Sequence, residues 1–160
     1  MGVSGSGKTS VAKALSDRLG WSYAEGDDMH PAANVEKMHA GHPLDDADRW
    51  PWLRRIGDYL DEEARSGAGC IVTCSALKRS YRDLLCGGRA QVRFVYLEGS
   101  RAVIAERLAD RTGHFMPAAL LDSQLADLEP LRPDEPGRAF DIAPGSPAVV
   151  EAVLSWLPAA

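Results

Sequence analysis

The first ten residues, MGVSGSGKTS, constrain this chain more than any other stretch. Gly2, Gly7, Lys8 and Thr9 keep the spacing glycine, four residues, glycine, lysine, serine or threonine, with Gly5 inside it. Glycines at these places let successive backbone N–H groups turn inward around phosphate oxygens, and the helix that follows offers its positive end to the same anion. Gly2, Val3, Ser4, Gly5, Ser6 and Gly7 are therefore expected to wrap the phosphates of ATP. Lys8 is expected to reach the β- and γ-phosphates, and Thr9 to hold Mg2+ through its hydroxyl. Such a loop hangs from the end of a central buried strand, and no residues before Gly2 supply one except Met1. The expectation is that the natural gene begins upstream, that Met1 is internal and marks the strand's end, and that the sheet as given lacks its first central strand. Met1-Gly2 with Ser6 also fits a template for N-myristoylation, but that template is short, and Lys8 and Thr9 at the right spacing favour the nucleotide.

With 160 residues, 45% apolar and 26% charged, the chain has the material for one compact domain spanning 1–160. A net charge of −5 argues against a general nucleic-acid binder, which needs a broad excess of Lys and Arg. No run approaches the roughly 18 apolar residues of a membrane span, and no signal-peptide core is visible, so the expected compartment is the cytoplasm. Cys70, Cys74 and Cys86 lack zinc-type pairing and read as reduced thiols. His39 and His42, separated by Gly41 and followed by Pro43, have no helical metal-binding register.

Short apolar runs alternate with amphipathic stretches, the pattern of a parallel sheet covered by helices. Ser10 to Leu19 is expected to be helical, with Val11, Leu15 and Leu19 inward and Gly20 as its stop. WSYAE, GCIVTC, VRFVYL and AFDIA read as strands. Helices are expected over PAANVEKMHAG, from Pro51 with Leu53, Ile56 and Leu60 inward, over KRSYRDLLC and RAVIAERLADR, from Pro117 to Leu128, and over PAVVEAVLSWL.

A phosphate loop alone does not name an acceptor. The guanine-reading motif Asn-Lys-x-Asp is absent, and GCIVTC runs into Ser75 where many such folds place a magnesium-binding aspartate. The segments between the strands are more specific: GDDMHP, NVEKM, G-x-PL-x-D-x-DR ending in PWL, CSALKRSYRDLL and R-x-GHFMP. Together with the loop, these motifs resemble the gluconokinase family over most of residues 2–130. The resemblance implies a single-domain, three-layer α/β P-loop kinase fold related to shikimate and adenylate kinases, with a parallel sheet flanked by helices and a mobile lid over about 112–130. It implies transfer of a phosphoryl group from ATP to the 6-hydroxyl of D-gluconate, with Mg2+, in a homodimer.

A polyhydroxy acid needs acceptors for its hydroxyls and cations for its carboxylate. Asp27, just past the second expected strand, is the candidate to orient the attacking hydroxyl and take its proton, the alternative being a helix cap or surface acid. His30 can add a substrate hydrogen bond. Arg49, Lys78 and Arg82 are the candidate cations, with Lys78 able to serve the phosphate as well, and Arg82 one helical turn after Lys78. Salt bridging is the alternative for each. By resemblance Arg111 serves the ATP phosphates and Arg107 stacks near adenine, with Gly113 as a hinge, His114 supporting the lid and Pro144 bordering the adenine pocket. Trp50 and Trp52 read as core aromatics, and Cys86 stands where the family often has a basic residue. A kinase for another sugar acid, polyol or shikimate, and a nucleotide-binding regulator without turnover, are the rival readings.

Overall fold

The computed structural model describes residues 1–67, 69–109 and 118–158, and of residues 118–120 the backbone alone. Seven α-helices and four strands alternate along these residues. Helix α1 (Lys8–Leu19) leads to β1 (Ser22–Glu25), a 3-10 turn (Gly26–Met29), α2 (Ala32–His39), α3 (Asp46–Ser66) and β2 (Cys70–Thr73). Then come α4 (Arg79–Cys86), β3 (Phe94–Glu98), α5 (Arg101–Ala109), α6 (Ala118–Asp127), β4 (Gly137–Asp141) and α7 (Ser146–Trp156).

β1 pairs in parallel with β2, and β3 in parallel with β4. Between the two pairs lie Met1 and Gly2: the Met1 carbonyl accepts from Leu97 N–H at 3.0 Å, and Gly2 N–H donates to the Ser75 carbonyl at 3.1 Å. The central position expected to lack its strand is thus held at its carboxyl end by these two residues. Gly2 is buried and its amide is engaged, which also speaks against the lipid-anchor reading.

Alternation along the strands creates two cores. Ile71, Val95 and Leu97 face one side and pack with Val11 and Leu15 of α1, Ile104 of α5 and Val149, Val150 and Val153 of α7. Val72 and Phe94 face the other, against Trp52, Leu53 and Ile56 of α3 and Tyr81 and Leu85 of α4. Helices on both faces of parallel strands give the expected three layers, with Trp52 in the core as read.

Helix α3 begins earlier than the proline rule suggested. Asp45 caps it by accepting from Asp48 N–H at 2.9 Å while the Asp48 carboxylate accepts from Asp45 N–H, a reciprocal capping box, so Pro51 sits inside the helix.

Arg82 requires the main correction. It is 1% exposed, and its guanidinium donates to both carboxylate oxygens of Glu135 and to the carbonyls of Ala76, Leu77 and Pro130. No donor remains for a substrate carboxylate, so the expected one-face pairing with Lys78 gives way to a structural ion pair. That pair holds the β2–α4 connection, where fully buried Ala76 adopts φ 45°, a left-handed backbone unfavourable for a residue with a side chain. Burial pushes the Glu135 carboxyl up, but hydrogen bonds from Arg82 and the Arg132 backbone outweigh it and leave the pKa below the ordinary value.

The thiols are free, and burial raises the pKa of each, Cys74 to about 12. Cys86 ends α4 beside Arg79 and Arg89, lining a surface cavity of about 430 Å3.

Replacing Glu135 by Ala strands a buried guanidinium and should cost about 3–5 kcal/mol in denaturant melts. Because Glu135 has a lowered folded pKa, its contribution is present above the unfolded carboxyl value and disappears as pH falls through the folded one. The stability difference between parent and Glu135→Ala should therefore narrow on acidification below about pH 4.5.

Candidate active site

The loop 2–7 delivers its chain into α1 through Gly7, which caps the helix at φ 92° with no side-chain hydrogen bond. No acidic residue stands in the first turn. The first amides of α1 therefore lack the side-chain acceptor that a capped helix has, and with the helix dipole they make an anion site. Ser6 Oγ is buried with no hydrogen-bond partner, a polar atom aimed into the same loop. Gly5 is required by packing: at φ 82°, an added Cβ would come within 2.7 Å of Leu108 on α5. These features fit a bound polyphosphate.

Several of the candidate residues stand beside the loop. The Lys8 ammonium lies 3.0 Å from the Val3 carbonyl, across the loop. Arg107 on α5 approaches Gly7, with Nη1 3.6 Å from where a Cβ would stand, and it donates to the Ile142 carbonyl. Pro144 belongs to the turn between β4 and α7, whose Ser146 Oγ is 3.9 Å from the same Gly7 position. Arg107 and the Pro144 turn thus stand on one side of the loop.

The candidate acceptor side grows from the end of β1. Thr9 Oγ1 donates to Glu25 Oε2 at 2.9 Å, and the same carboxylate accepts from the Tyr23 hydroxyl at 2.5 Å and from the Thr73 hydroxyl. Burial pushes Glu25 up, but the three hydroxyls and the nearby Lys8 charge prevail and hold its pKa below the ordinary range. Gly26 follows at a point where only glycine fits, since a Cβ there would fall 2.0 Å from the Thr73 carbonyl oxygen. The indole of Trp52 donates to the Gly26 carbonyl at 2.6 Å and fixes the turn from beneath. Asp27 is thereby presented, exposed, two residues from the carboxylate that holds Thr9.

His30 stacks on Trp52 with ring centroids 4.1 Å apart, and Asn34 meets its Nδ1 at 3.3 Å. Buried Asn34 also donates to the Asp48 carbonyl at 2.8 Å, tying α2 to the start of α3. Burial lowers the His30 pKa, opposed by Asp27 and assisted by Arg49, so the imidazole is neutral near pH 7. Asp27 and Arg49 are thus close enough to His30 for their charges to act on it.

Arg49 and Lys78 converge on Tyr81. Their charged groups lie 5.7 Å from its ring centre, Lys78 Nζ donates to Asp46 Oδ1 at 2.8 Å, and Arg49 lies 3.8 Å from Asp127. A cavity of about 500 Å3 opens beside them, lined by Leu44, Asp45, Asp46, Ala47, Lys78 and Asp127. Of the three expected cations, Lys78 lines this cavity, Arg49 reaches its wall at Asp127, and Arg82 does neither. Arg111 and His114 lie outside the described residues, as does the hinge at Gly113. Sequence reading missed Glu25, Asn34 and Gln124, whose Oε1 accepts from Ser4 N–H at 2.7 Å. A glutamate at a strand's end directly before Gly-Asp-Asp was the available signal for Glu25; Gln124 offered none. His39 and His42 are exposed, and among the described residues no group of three or more His, Cys, Asp or Glu could hold a metal by itself.

A parallel sheet wrapped by helices, with an uncapped glycine loop facing acids and cations at its carboxyl edge, defines a P-loop kinase of the small-molecule class. A family model described as an AAA domain matches residues 1–131. A gluconokinase of Gluconobacter oxydans is 57% identical over 136 residues, covering 85% of this chain and 76% of the relative. Among solved structures, an unliganded sugar kinase from Janibacter sp. HTCC2649 superposes with a TM-score of 0.91 at 49% identity, over 98% of this chain and 90% of that one. A gluconokinase from Sinorhizobium meliloti 1021 gives 0.88 at 47% identity, over 97% and 87%. The chain belongs to the gluconokinase family.

The lowered His30 pKa sets a pH dependence. Its contribution to stability is complete above the unfolded value of about 6.5 and is lost as pH falls from there through the folded value. The melting temperature of the parent should drop more between pH 7.5 and 5.5 than that of His30→Gln, by thermal melts across that range; equal drops would contradict the burial of a neutral imidazole.

Proposed function

We propose that this chain transfers the γ-phosphoryl group of ATP to the 6-hydroxyl of D-gluconate, giving 6-phospho-D-gluconate and ADP. The observation that carries the reading is the hydrogen bond from Thr9 to Glu25, which ties the phosphate loop to the strand end that presents Asp27. Nucleotide and acceptor are thereby held on one rigid joint, and phosphoryl transfer is chiefly a matter of alignment and charge stabilisation.

The loop amides and Lys8 hold the phosphates, while Arg107 and Pro144 flank the nucleotide's other end. Asp27 accepts a hydrogen bond from the attacking hydroxyl and takes its proton as the O–P bond forms and the bond to the leaving ADP breaks. His30, neutral, supplies a further hydrogen bond, and Arg49 and Lys78 receive the carboxylate, exchanging Asp127 and Asp46 for it. Arg111 and His114 complete the nucleotide and lid contacts by family resemblance, with 112–130 as the lid. Mg2+ fits beside Thr9 and Glu25, since a cation held mainly by phosphate oxygens and water needs only one or two protein ligands; when bound it neutralises charge on the β- and γ-phosphates.

Three free thiols suit the reducing cytoplasm. No helix among the described residues is long and apolar enough to cross a membrane. The family resemblance supports a homodimer, and the net charge of −5 argues against a general nucleic-acid partner.

Acceptor-dependent ADP release over gluconate, other sugar acids, polyols and shikimate tests the assignment. Gluconate should be preferred, and an equal response to the others would defeat it. Lys8→Ala and Asp27→Asn should each lower kcat by about a hundredfold or more, with melting temperatures near the parent's. Glu25→Gln should raise the Mg2+ concentration needed for half-maximal rate, measured by titration at saturating ATP.

A further inference from the structure

Two glycines with left-handed backbones, Gly2 at φ 138° and Gly5 at φ 82°, flank the Val3–Ser4 peptide. The plane of this peptide turns on Val3 ψ and Ser4 φ, and glycines on either side, tolerant of either sign of φ, let the chain absorb such a turn. A turn bond from Ser6 N–H reaches the Val3 carbonyl at 3.3 Å, and two side chains grip the peptide more closely. The Val3 carbonyl accepts from Lys8 Nζ at 3.0 Å, and the Ser4 N–H donates to Gln124 Oε1 at 2.7 Å. A trans peptide carries its C=O and N–H on opposite edges, so Lys8 and Gln124 grip it from opposite sides. Gln124 reaches the loop from α6, 120 residues further along the chain. Three residues later, on the same helical face, Asp127 lies 3.8 Å from Arg49. One turn of α6 therefore touches both the phosphate loop and an acceptor-side cation.

We propose that Gln124 is a positioning residue for phosphoryl transfer: by holding the Ser4 N–H it keeps the Val3 carbonyl turned toward Lys8, and so keeps the Lys8 ammonium aimed along the loop. The role rests on the kinase reading above. Without the carboxamide only the 3.3 Å turn bond from Ser6 N–H and the Lys8 contact restrain the peptide, which can then turn about Val3 ψ and Ser4 φ and shift the carbonyl that meets Lys8. Nucleotide affinity survives, because the remaining loop amides and the start of α1 still bind phosphate. Alignment of the transferring group does not survive, and small misplacements of that kind cost large factors in rate.

Gln124→Leu keeps the approximate shape and removes the acceptor; Gln124→Asn keeps the amide and shortens its reach. Both should lower kcat about tenfold or more while KM for ATP and gluconate and the calorimetric ADP affinity stay within about threefold. Melting temperatures should stay within about 2 °C of the parent. Hydrogen exchange at the Ser4 amide should be slow in the parent and fast in both variants, with the Val11 amide, bonded to the Gly7 carbonyl at 3.0 Å, unchanged. A kcat within about threefold of the parent, or a kcat loss matched by equal loss of ADP affinity or melting temperature, overturns the proposal. Should no acceptor be turned over, the gluconate reading fails alone, and the exchange comparison still decides: fast Ser4 exchange in the parent, or no change in the variants, overturns the role of Gln124.

Discussion

A single carboxylate joins the parts of this molecule that must act together. Glu25 accepts hydroxyl hydrogens from Thr9 of the phosphate loop, from Tyr23 on its own strand and from Thr73 on the neighbouring strand. Three donors on one carboxylate outweigh the cost of its partial burial and keep it ionised. Because the joint lies where β1 becomes the turn bearing Asp27, this side-chain junction fixes the spacing between the phosphate loop and Asp27. Gly26 and Trp52 complete it, the first by letting the turn lie against Thr73 and the second by bonding the turn's carbonyl from the core.

From that joint the two cores acquire different tasks. The core shared by α1, α5 and α7 backs the loop, bringing Arg107 and the Pro144 turn beside Gly7. The core under α3 and α4 backs the acceptor side and carries Trp52 and Tyr81, which support His30, Arg49 and Lys78. The buried Arg82–Glu135 pair belongs to the second task at one remove, since it holds the strained Ala76 backbone and through it the approach to Lys78.

Local chemistry made much of this legible. Loop spacing and strand-length apolar runs led to the glycine loop and the layers, and the GDDMHP segment singled out Asp27 as a candidate, because each depends on residues close together in the chain. What failed depended on distant partners. Arg82 reads as a free cation one turn from Lys78 until Glu135, 53 residues away, is seen to neutralise it. Gln124 reads as an ordinary helical residue until Ser4 is seen beneath it. Even the start of α3 turned on a choice between rival local signals, Pro51 against the Asp45–Asp48 box, and the reciprocal hydrogen bonds prevailed. Arg111 and His114 lie where the structure offers no description.

The raised thiol pKa values carry a chemical consequence. Nucleophilic attack by sulfur requires the thiolate, and with Cys74 displaced to about 12 that form is scarce at any physiological pH. With all three pKa values raised by burial, alkylating electrophiles and peroxide meet little thiolate, and none of the three sulfurs belongs to a candidate site residue. An inhibitor designed to capture this kinase covalently would have to look beyond cysteine.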